Sequence, residues 1–252
     1  VVRFKTPKSG STTCKDLLRG DITVENSTLD DMVLVKSDGM PVYHLAAMVD
    51  DHLMDITHVI RTAEWLPTFP IHVLVYRALE WEEPIWVHPS VLLKPDGKGK
   101  MSKRDNEMAQ EQGLPIFVKD MEQLGYIPEA VVNWLALMGW SYDDKTEFFS
   151  LEDLVEKFSL DKLNPSPAAI NFSKLDHFNG LHIRELETED LANRIRPFLE
   201  EAGYRVDNET KLQQVAEALQ VRLGKLDEAP EKAGFFFKEE VHPEPETLIG
   251  KK

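Results

Sequence analysis

The sequence of 252 residues predicts an α/β fold in which a parallel sheet is followed by mainly α-helical domains. Two observations carry this prediction. Residues 56–61 and 84–88 are apolar, β-rich segments on either side of residues 65–82, which have a helical period, and strands that alternate with helices form parallel sheets. From about Glu107 onward, helical segments follow one another with Gly and Pro turns between them.

The N-terminal part adds further strands to this fold. Residues 1–20 contain a short strand candidate, a turn cluster and a polar stretch at 13–19 that is typical of a helix. Residues 22–24 and 32–35 are β-rich. The first twenty residues are therefore expected to end in a helix, and strands are expected to follow.

A hairpin and a short helix are predicted next. The Asp38-Gly39 pair is a turn signal between apolar residues 32–35 and 42–45. Residues 46–54 then have the apolar spacing of a short helix.

The helical part begins after the sheet. Ser150 and Asp153 have the spacing of an N-terminal cap. Helices are predicted at residues 115–124, 128–138 and 212–226. The tail, residues 243–252, is rich in Pro and Glu and is expected to be loose.

Composition excludes several classes of protein. Hydrophobic residues make up 42% of the chain, but no run approaches 18 apolar residues and the start lacks the apolar core of a signal peptide. Neither membrane insertion nor secretion is predicted, and the cytoplasm is the expected compartment. Cys14 is the only cysteine, which excludes an intrachain disulfide and a multi-cysteine zinc site.

Net charge is −15, which argues against a polyanionic partner. The charge is unevenly distributed, however, with a net of −2 through Asp105 and −13 in the remainder. Proteins that bind nucleic acid through basic patches need only local positive charge. The overall charge therefore lowers the expectation of a nucleic-acid partner without removing it.

Residues 96–104 contain three lysines, one arginine and two glycines. Gly97 and Gly99 allow the backbone to take positive φ, and the basic side chains attract phosphate, so the segment is interpreted as a mobile anion clamp. It does not have the spacing of a Walker A loop. A solvated basic turn is the alternative interpretation.

Two other kinds of site were weighed. His44, Asp50, Asp51 and His52 are of metal-ligand type, but adjacent carboxylates cannot share a helix face, so no metal site is predicted. The pair formed by Ser102 and the lysine after it lacks the elbow motif and oriented base of a hydrolase.

Lys100-Met101-Ser102-Lys103-Arg104 resembles the KMSKS signature loop of class I aminoacyl-tRNA synthetases, in the arginine-ending form common in glutamyl-tRNA synthetases. Residues 41–46 and 49–54 are also similar to that family. The resemblance runs from Arg3 to about Phe237 and implies the second half of a class I synthetase Rossmann-type domain. No His-x-Gly-His signature occurs. We therefore expect a piece without the N-terminal half and most of the anticodon-binding domain, inactive by itself.

The resemblance also divides the chain into regions. These are the end of an acceptor-stem-binding insertion at 1–35, the second half of the nucleotide-binding catalytic domain with the KMSKR loop at 36–105, a helical stem-contact domain at 106–180, and the start of a helical anticodon-binding domain at 181–252.

The chemistry that the resemblance implies is that of a glutamate–tRNA ligase. The glutamate α-carboxylate attacks the α-phosphate of ATP to form glutamyl-adenylate, and a hydroxyl of the 3′-terminal adenosine of tRNA then displaces AMP. The expected partners are glutamate, ATP with Mg²⁺, and tRNA-Glu, with tRNA-Gln left open. A monomer without a structural metal is expected.

Tyr43 and Arg61 are the glutamate-binding residues that the resemblance implies. Arginine suits the side-chain carboxylate because its planar fork binds bidentately and keeps its charge. The alternative is a surface ion pair between Arg61 and a carboxylate such as Glu64. Ala47 departs from one branch of the family, in which an asparagine contacts the substrate, and is left out of the site.

Lys100 and Lys103 are the catalytic residues that the resemblance implies, because lysines brought up by loop closure stabilise charge on the leaving pyrophosphate. The expected ATP-binding residues are Glu64, Leu92, Leu93, Lys100, Met101, Ser102, Lys103 and Arg104.

Two other functions stay open. One is a paralogue that glutamylates a modified base in tRNA; it resembles only the catalytic part, so the helical region from Glu107 to Leu226 counts against it. The other is a non-catalytic tRNA-binding fragment, which the absent His-x-Gly-His favours if Val1 is a natural start.

Overall fold

The computed structural model describes residues 1–102, 114–143 and 145–238. The chain divides into two compact units. The first unit comprises Val1–Lys100, Met138–Asp144 and Phe158–Ile170, and the second comprises Met101–Leu137, Lys145–Lys157 and Asn171–Lys252.

The first unit holds the strands of the described residues. They are β1 (Val2–Arg3), β2 (Ser11–Asp16), β3 (Gly20–Glu25), β4 (Val33–Val35), β5 (His58–Ile60), β6 (Ile85–Val87), β7 (Leu92–Leu93) and β8 (Ala168–Ala169). Its helices are α1 (Tyr43–Leu53) and α2 (Phe69–Ala78), with 3-10 helices at Asn26–Thr28, Ala63–Thr68 and Leu160–Lys162.

The largest sheet has the strand order β3-β2-β6-β5. Strand β6 pairs in parallel with both β5 and β2, whereas β2 and β3 form an antiparallel hairpin. The predicted parallel sheet is confirmed, with the predicted strands at 56–61 and 84–88 present as β5 and β6 and α2 between them. Strand β5 lies at one edge, with His58 and Ile60 exposed.

The helix predicted at residues 13–19 is wrong, because most of this stretch belongs to β2. Thr12, Cys14 and Asp16 are buried, while Ser11 and Lys15 between and beside them are exposed. That alternation is the period of a strand with one buried face. The polar composition hid the pattern, since two of the three buried residues are polar.

The hairpin predicted around Gly39 is correct at its turn only. Gly39 has a φ of 85°, as the turn requires. The arm predicted at 42–45 is wrong: β4 meets Pro41 in a single bridge, and α1 begins at Tyr43. The pairing ends after the Val42 N–H, which donates to the Leu34 carbonyl at 2.9 Å, because the Val42 carbonyl accepts the N–H groups of Leu45 and Ala46 in the first turn of α1. The helix predicted at 46–54 is thus present as α1, which starts three residues earlier.

The core of the first unit forms where α2 packs against the sheet. Helix α2 is buried around most of its circumference, the property of a helix that lies between other layers. Pro70 lies in its first turn, where a missing N–H has no cost. The buried apolar residues are Cys14, Leu29, Met48, Phe69, Ile71, Val73, Val75, Tyr76 and Trp86.

The second unit is helical, which confirms the prediction of mainly α-helical structure after the sheet. Its helices are α3 (Val118–Gln123), α4 (Pro128–Ala136), α5 (Leu151–Lys157), α6 (Phe172–Glu185), α7 (Thr188–Glu201), α8 (Glu209–Leu219) and α9 (Ala229–Ala233), with 3-10 helices at Leu226–Glu228 and Gly234–Phe237.

Two local predictions in this unit have different outcomes. Ser150 and Asp153 cap α5 as predicted: the Asp153 N–H donates to Ser150 Oγ at 3.1 Å, and the Ser150 N–H donates to Asp153 Oδ2 at 3.2 Å. The helix predicted at 212–226 is wrong beyond Leu219, where α8 ends. There the Gly224 N–H donates to the side chain of Glu228 at 3.0 Å, whereas a continued helix would use that N–H within its backbone.

The helices of this unit pack around a buried apolar core that includes Leu191, Ile195 and Leu212, and two further contacts join them. Arg194 of α7 binds Glu129 of α4 bidentately, with Nη1–Oε2 and Nη2–Oε1 distances of 2.9 and 2.8 Å. Gly125 lies between α3 and α4 with a φ of 77°, and its carbonyl accepts the Leu226 N–H at 3.0 Å. A Cβ built on Gly125 would lie 2.4 Å from the backbone nitrogen of Asp227.

Candidate active site

Arg61 directly follows β5, at the end of the parallel strands where open α/β sheets bind ligands. Its backbone N–H donates to the Val87 carbonyl at 3.0 Å, which ties it to the end of β6. Its guanidinium carbon lies 4.9 Å from the ring centre of Trp86 and 6.0 Å from that of Trp65. The sheet thus presents a cation against two aromatic rings.

One nitrogen of this guanidinium has a partner, and two do not. Arg61 Nε donates to His88 Nε2 at 3.0 Å. Nη1 and Nη2 are buried, and neither makes a hydrogen bond of normal geometry with the described residues. Burial lowers the pKa of Arg61, and the nearby Tyr43 hydroxyl acts in the opposite direction. A buried charge with free donors is costly unless an anion completes it.

His88 connects Arg61 to a buried carboxylate. His88 Nδ1 lies 2.6 Å from Asp16 Oδ2, and both side chains are fully buried. Burial lowers the pKa of His88, and the hydrogen bond to Asp16 only partly offsets this. The imidazole is therefore neutral at pH 7. A neutral ring that accepts from Arg61 at Nε2 must carry its proton on Nδ1 and donate it to Asp16.

Asp16 and His88 are the site residues that sequence reasoning missed. Asp16 ends β2 and His88 directly follows β6, so both lie at the carboxyl end of the sheet beside Arg61. Asp16 Oδ1 also accepts the N–H groups of Leu18 and Arg19, at 3.0 Å each. A polar residue at the end of each parallel strand was the signal that could have identified them.

Tyr43, the first residue of α1, is brought beside Arg61 as the sequence-based interpretation requires. Its ring stacks on Trp65 with centres 4.5 Å apart, and the same indole lies near the Arg61 guanidinium. Next to the Tyr43 ring, His44 Nδ1 lies 2.8 Å from His72 Nε2. Burial lowers the pKa of His72 to about 3, so the His72 ring adds no positive charge beside Arg61 at pH 7.

Glu64 and Lys100 form an ion pair, with Nζ 2.5 Å from Oε2 and each side chain about half exposed. Glu64 belongs to the 3-10 helix that follows Arg61, and the hydrogen bond from Lys100 lowers its pKa. The alternative interpretation, in which Glu64 neutralises Arg61, has no hydrogen bond or ion pair among the described residues to support it. Glu64 and Lys100 were both expected near ATP.

Residues 92–100 form a tight loop around the two glycines. The Lys94 N–H donates to the Gly99 carbonyl at 3.0 Å, and Leu93 bridges Lys100. Gly97 and Gly99 have φ values of 73° and 80°. Both glycines thus have the positive φ that the sequence predicts for this basic segment.

The remaining predicted residues lie at the two ends of this loop. Leu92 and Leu93 form β7 directly before the loop. Met101 and Ser102 are described, whereas Lys103 and Arg104 lie outside the described residues.

No group of three or more His, Cys, Asp or Glu side chains that could hold a metal ion occurs in the described ranges. Of the residues weighed as ligands, His52 stacks on Trp81 with ring centres 4.0 Å apart, and burial raises the pKa of Asp51. Across the same ranges, no helix has both the length and the apolar character needed to cross a bilayer.

The sequence matches the family described as "tRNA synthetases class I (E and Q), catalytic domain" over residues 1–177, and the "Anticodon binding domain" over residues 190–252. The chain belongs to the class I tRNA synthetases. The resemblance to glutamyl-tRNA synthetases that the signature loop indicated is thereby confirmed at the level of the family.

Three similar proteins share the name glutamate–tRNA ligase. The glutamate–tRNA ligases of Roseiflexus sp. (strain RS-1) and Herpetosiphon aurantiacus are 48% and 45% identical over all of this chain. That of Borreliella burgdorferi is 44% identical over 95% of it. The chain covers 50%, 50% and 48% of these relatives, so it spans about half the length of the curated proteins it matches.

Solved structures agree with this assignment. A glutamate tRNA ligase from Elizabethkingia meningosepticum, in complex with its amino acid, has a TM-score of 0.84 at 35% identity. The glutamate–tRNA synthetase from Elizabethkingia anophelis has a TM-score of 0.85 at 34% identity. Each comparison covers 98% of this chain, and 53% and 52% of the respective neighbour.

Proposed function

We propose that this chain is the central part of a glutamate–tRNA ligase, which activates glutamate with ATP and transfers it to the 3′-terminal adenosine of tRNA. The observation that carries the proposal is the buried Arg61 guanidinium with Nη1 and Nη2 unpartnered among the described residues. By itself the chain is inactive in this proposal, because it spans about half the length of its relatives.

The free edge of Arg61 suits the side-chain carboxylate of glutamate. Two N–H donors on one guanidinium edge match two carboxylate oxygens, and a charge-assisted pair in a buried site is strong. Glutamine offers an amide, which brings no negative charge and presents two N–H donors of its own to a donor group. Tyr43, beside the same guanidinium, orients the side chain.

Lys100 and Lys103 stabilise the pyrophosphate leaving group in this proposal. As the α-carboxylate attacks the α-phosphate, negative charge builds on the departing oxygens, so a cation that reaches them binds the transition state better than the ground state. Two glycines at positive φ form the turn of the loop that carries Lys100. Glu64, Leu92, Leu93, Met101, Ser102 and Arg104 complete the proposed ATP site.

Mg²⁺ enters this site with ATP. Mg²⁺ retains several waters and is bound mainly by substrate phosphates with one or two carboxylates. Glu64 is an exposed carboxylate of the right kind beside Lys100. When bound with ATP, Mg²⁺ would neutralise phosphate charge, and the chain's own lysines hold the leaving group.

The partner proposed for the helical part is tRNA-Glu, in a monomeric enzyme. The match to an anticodon-binding domain over residues 190–252 supports a ligase that binds a whole tRNA. The same match disfavours the tRNA-modifying paralogue, which resembles only the catalytic part. The regions at 36–105, 106–180 and 181–252 keep the roles that the resemblance implied in this proposal, whereas β2, within 1–35, pairs with β6 and so belongs to the catalytic sheet.

Amino-acid-dependent exchange of pyrophosphate into ATP tests the proposal. The full-length protein is assayed with glutamate, glutamine and aspartate in separate reactions, with tRNA-Glu present. We expect exchange with glutamate and at least 100-fold less with the other two, on the order of what an unpaired buried group costs. Exchange that prefers glutamine, or none with any amino acid, contradicts it.

A further inference from the structure

Behind the free edge of Arg61 lies a chain of three buried groups. Asp16 accepts from His88 Nδ1 at 2.6 Å, and His88 Nε2 accepts from Arg61 Nε at 3.0 Å. Each bond has one direction, because the guanidinium donates only and a neutral ring that accepts at Nε2 donates from Nδ1. The chain therefore defines the tautomer of the ring between them.

We propose that Asp16 and His88 are positioning residues for amino-acid selection, which fix the plane of the Arg61 guanidinium so that its Nη1 and Nη2 edge meets the side-chain carboxylate of the substrate. This inference rests on the glutamate-binding role proposed for Arg61. Neither residue touches the substrate; both act through Arg61.

The geometry explains why such a device is needed. Arginine has four rotatable side-chain bonds, and the Trp86 and Trp65 rings beside the guanidinium restrain its tilt but not its rotation within the plane. A hydrogen bond at Nε stops that rotation. Because bidentate recognition requires two donors at fixed positions, a rotated fork would offer one bond in place of two.

Asp16 is itself held in place from two directions. Its Oδ1 accepts the N–H groups of Leu18 and Arg19, which leaves Oδ2 for His88. Arg19 Nε in turn donates to the His88 carbonyl at 2.9 Å. The hydrogen bonds therefore extend from the β2–β3 turn to the substrate-binding cation.

Asp16→Asn reverses the direction of the hydrogen bonds in this chain with little change in the shape of the side chain. The Leu18 and Arg19 N–H groups hold the amide oxygen, so the amide nitrogen faces His88 and donates to Nδ1. The ring proton must then lie on Nε2, where it opposes the Arg61 Nε–H. Asp21→Asn, an exposed carboxylate of the same hairpin, is the matched control.

The experiment combines spectroscopy and kinetics on the full-length protein. Imidazole ¹⁵N labelling, with the His88 signal assigned from its loss in His88→Gln, reports the tautomer at pH 7. We expect a proton on Nδ1 in the wild type and in Asp21→Asn, and on Nε2 in Asp16→Asn. A wild-type proton on Nε2, or an unchanged tautomer in Asp16→Asn, overturns the proposal even if the protein activates no amino acid.

Pyrophosphate exchange supplies the functional part. Asp16→Asn should raise KM for glutamate about 10- to 100-fold, the range for one hydrogen bond to a charged group, while KM for ATP changes less than twofold. His88→Gln keeps an acceptor for Arg61 Nε and should lose less than His88→Leu. Equal losses in both His88 variants, or equal shifts for glutamate and ATP, indicate a structural role and overturn the proposal.

Discussion

Lys100 Nζ lies 2.5 Å from Glu64 Oε2, so the lysine proposed to serve the leaving group is held by a carboxylate three residues beyond the proposed glutamate-binding arginine. The short 3-10 helix Ala63–Thr68 thus connects the proposed glutamate-binding residue to the proposed ATP site. Both side chains are half exposed, so the pair can exchange its partners when phosphates arrive.

Lys100→Ala in the full-length protein should lower kcat for pyrophosphate exchange about 100-fold with little change in KM for ATP, as when a donor to developing charge is removed. Glu64→Gln, which keeps an acceptor for Lys100, should lose far less. Lys36→Ala is the control, since Lys36 forms a comparably exposed ion pair with Asp38 away from the site. A raised KM with kcat unchanged would assign Lys100 to ground-state binding only.

Arg61→Cys should reduce kcat/KM for glutamate by about 2–4 kcal/mol in transition-state free energy, the range for losing one partner of a buried charge pair. Glutamine activation should fall much less or rise, because an amide leaves no uncompensated charge in the emptied site. Arg77→Cys, which removes the half-exposed partner of Glu83, is the control. Equal losses for glutamate and glutamine would mean that Arg61 maintains structure and does not select the substrate.

Glu129→Gln tests the ion pair that joins α4 to α7. The hydrogen bonds from Arg194 lower the pKa of Glu129, so the pair stabilises the fold above the unfolded-state pKa, near 4.5 for Glu, and this contribution is lost as the pH falls through the folded-state pKa. Urea unfolding at pH 7 should give a loss of about 1 kcal/mol, discounted for partial exposure. The loss should shrink at pH 3. Exposed Glu217→Gln on α8 is the control, and a loss that does not depend on pH would exclude the ion pair as its cause.

Gly125→Ala should destabilise the second unit far more than Gly203→Ala. Both glycines have positive φ, 77° and 85°, so both substitutions cost about 1–2 kcal/mol of backbone strain. Only at Gly125 would the new Cβ also meet backbone nitrogens of Leu226 and Asp227, at 2.7 and 2.4 Å. We expect a total of about 3 kcal/mol or more there, as for overpacking against a rigid backbone. Equal losses in thermal or urea unfolding would refute this contact.

The resemblance to glutamyl-tRNA synthetases pointed to Arg61 and the basic loop, because short motifs that can be read directly from the sequence carry it. Sequence reasoning missed Asp16 and His88, which are 72 residues apart and meet because β2 pairs with β6. Asp16 was further hidden in a stretch whose polar residues suggested a helix. The start of α1 at Tyr43 was missed for a similar reason, since Val42-Tyr43 is β-prone until tertiary packing decides otherwise.

The position of β5 at the edge of its sheet affects the solution behaviour of the isolated chain. Every second N–H and C=O of an edge strand points away from the sheet, and Ile60 beside them is 55% exposed. Such an edge can add an extended segment from another molecule. We therefore expect the purified chain to self-associate at rising concentration in sedimentation velocity. Ile60→Lys should suppress this, because charge on an edge strand opposes the burial that strand addition requires.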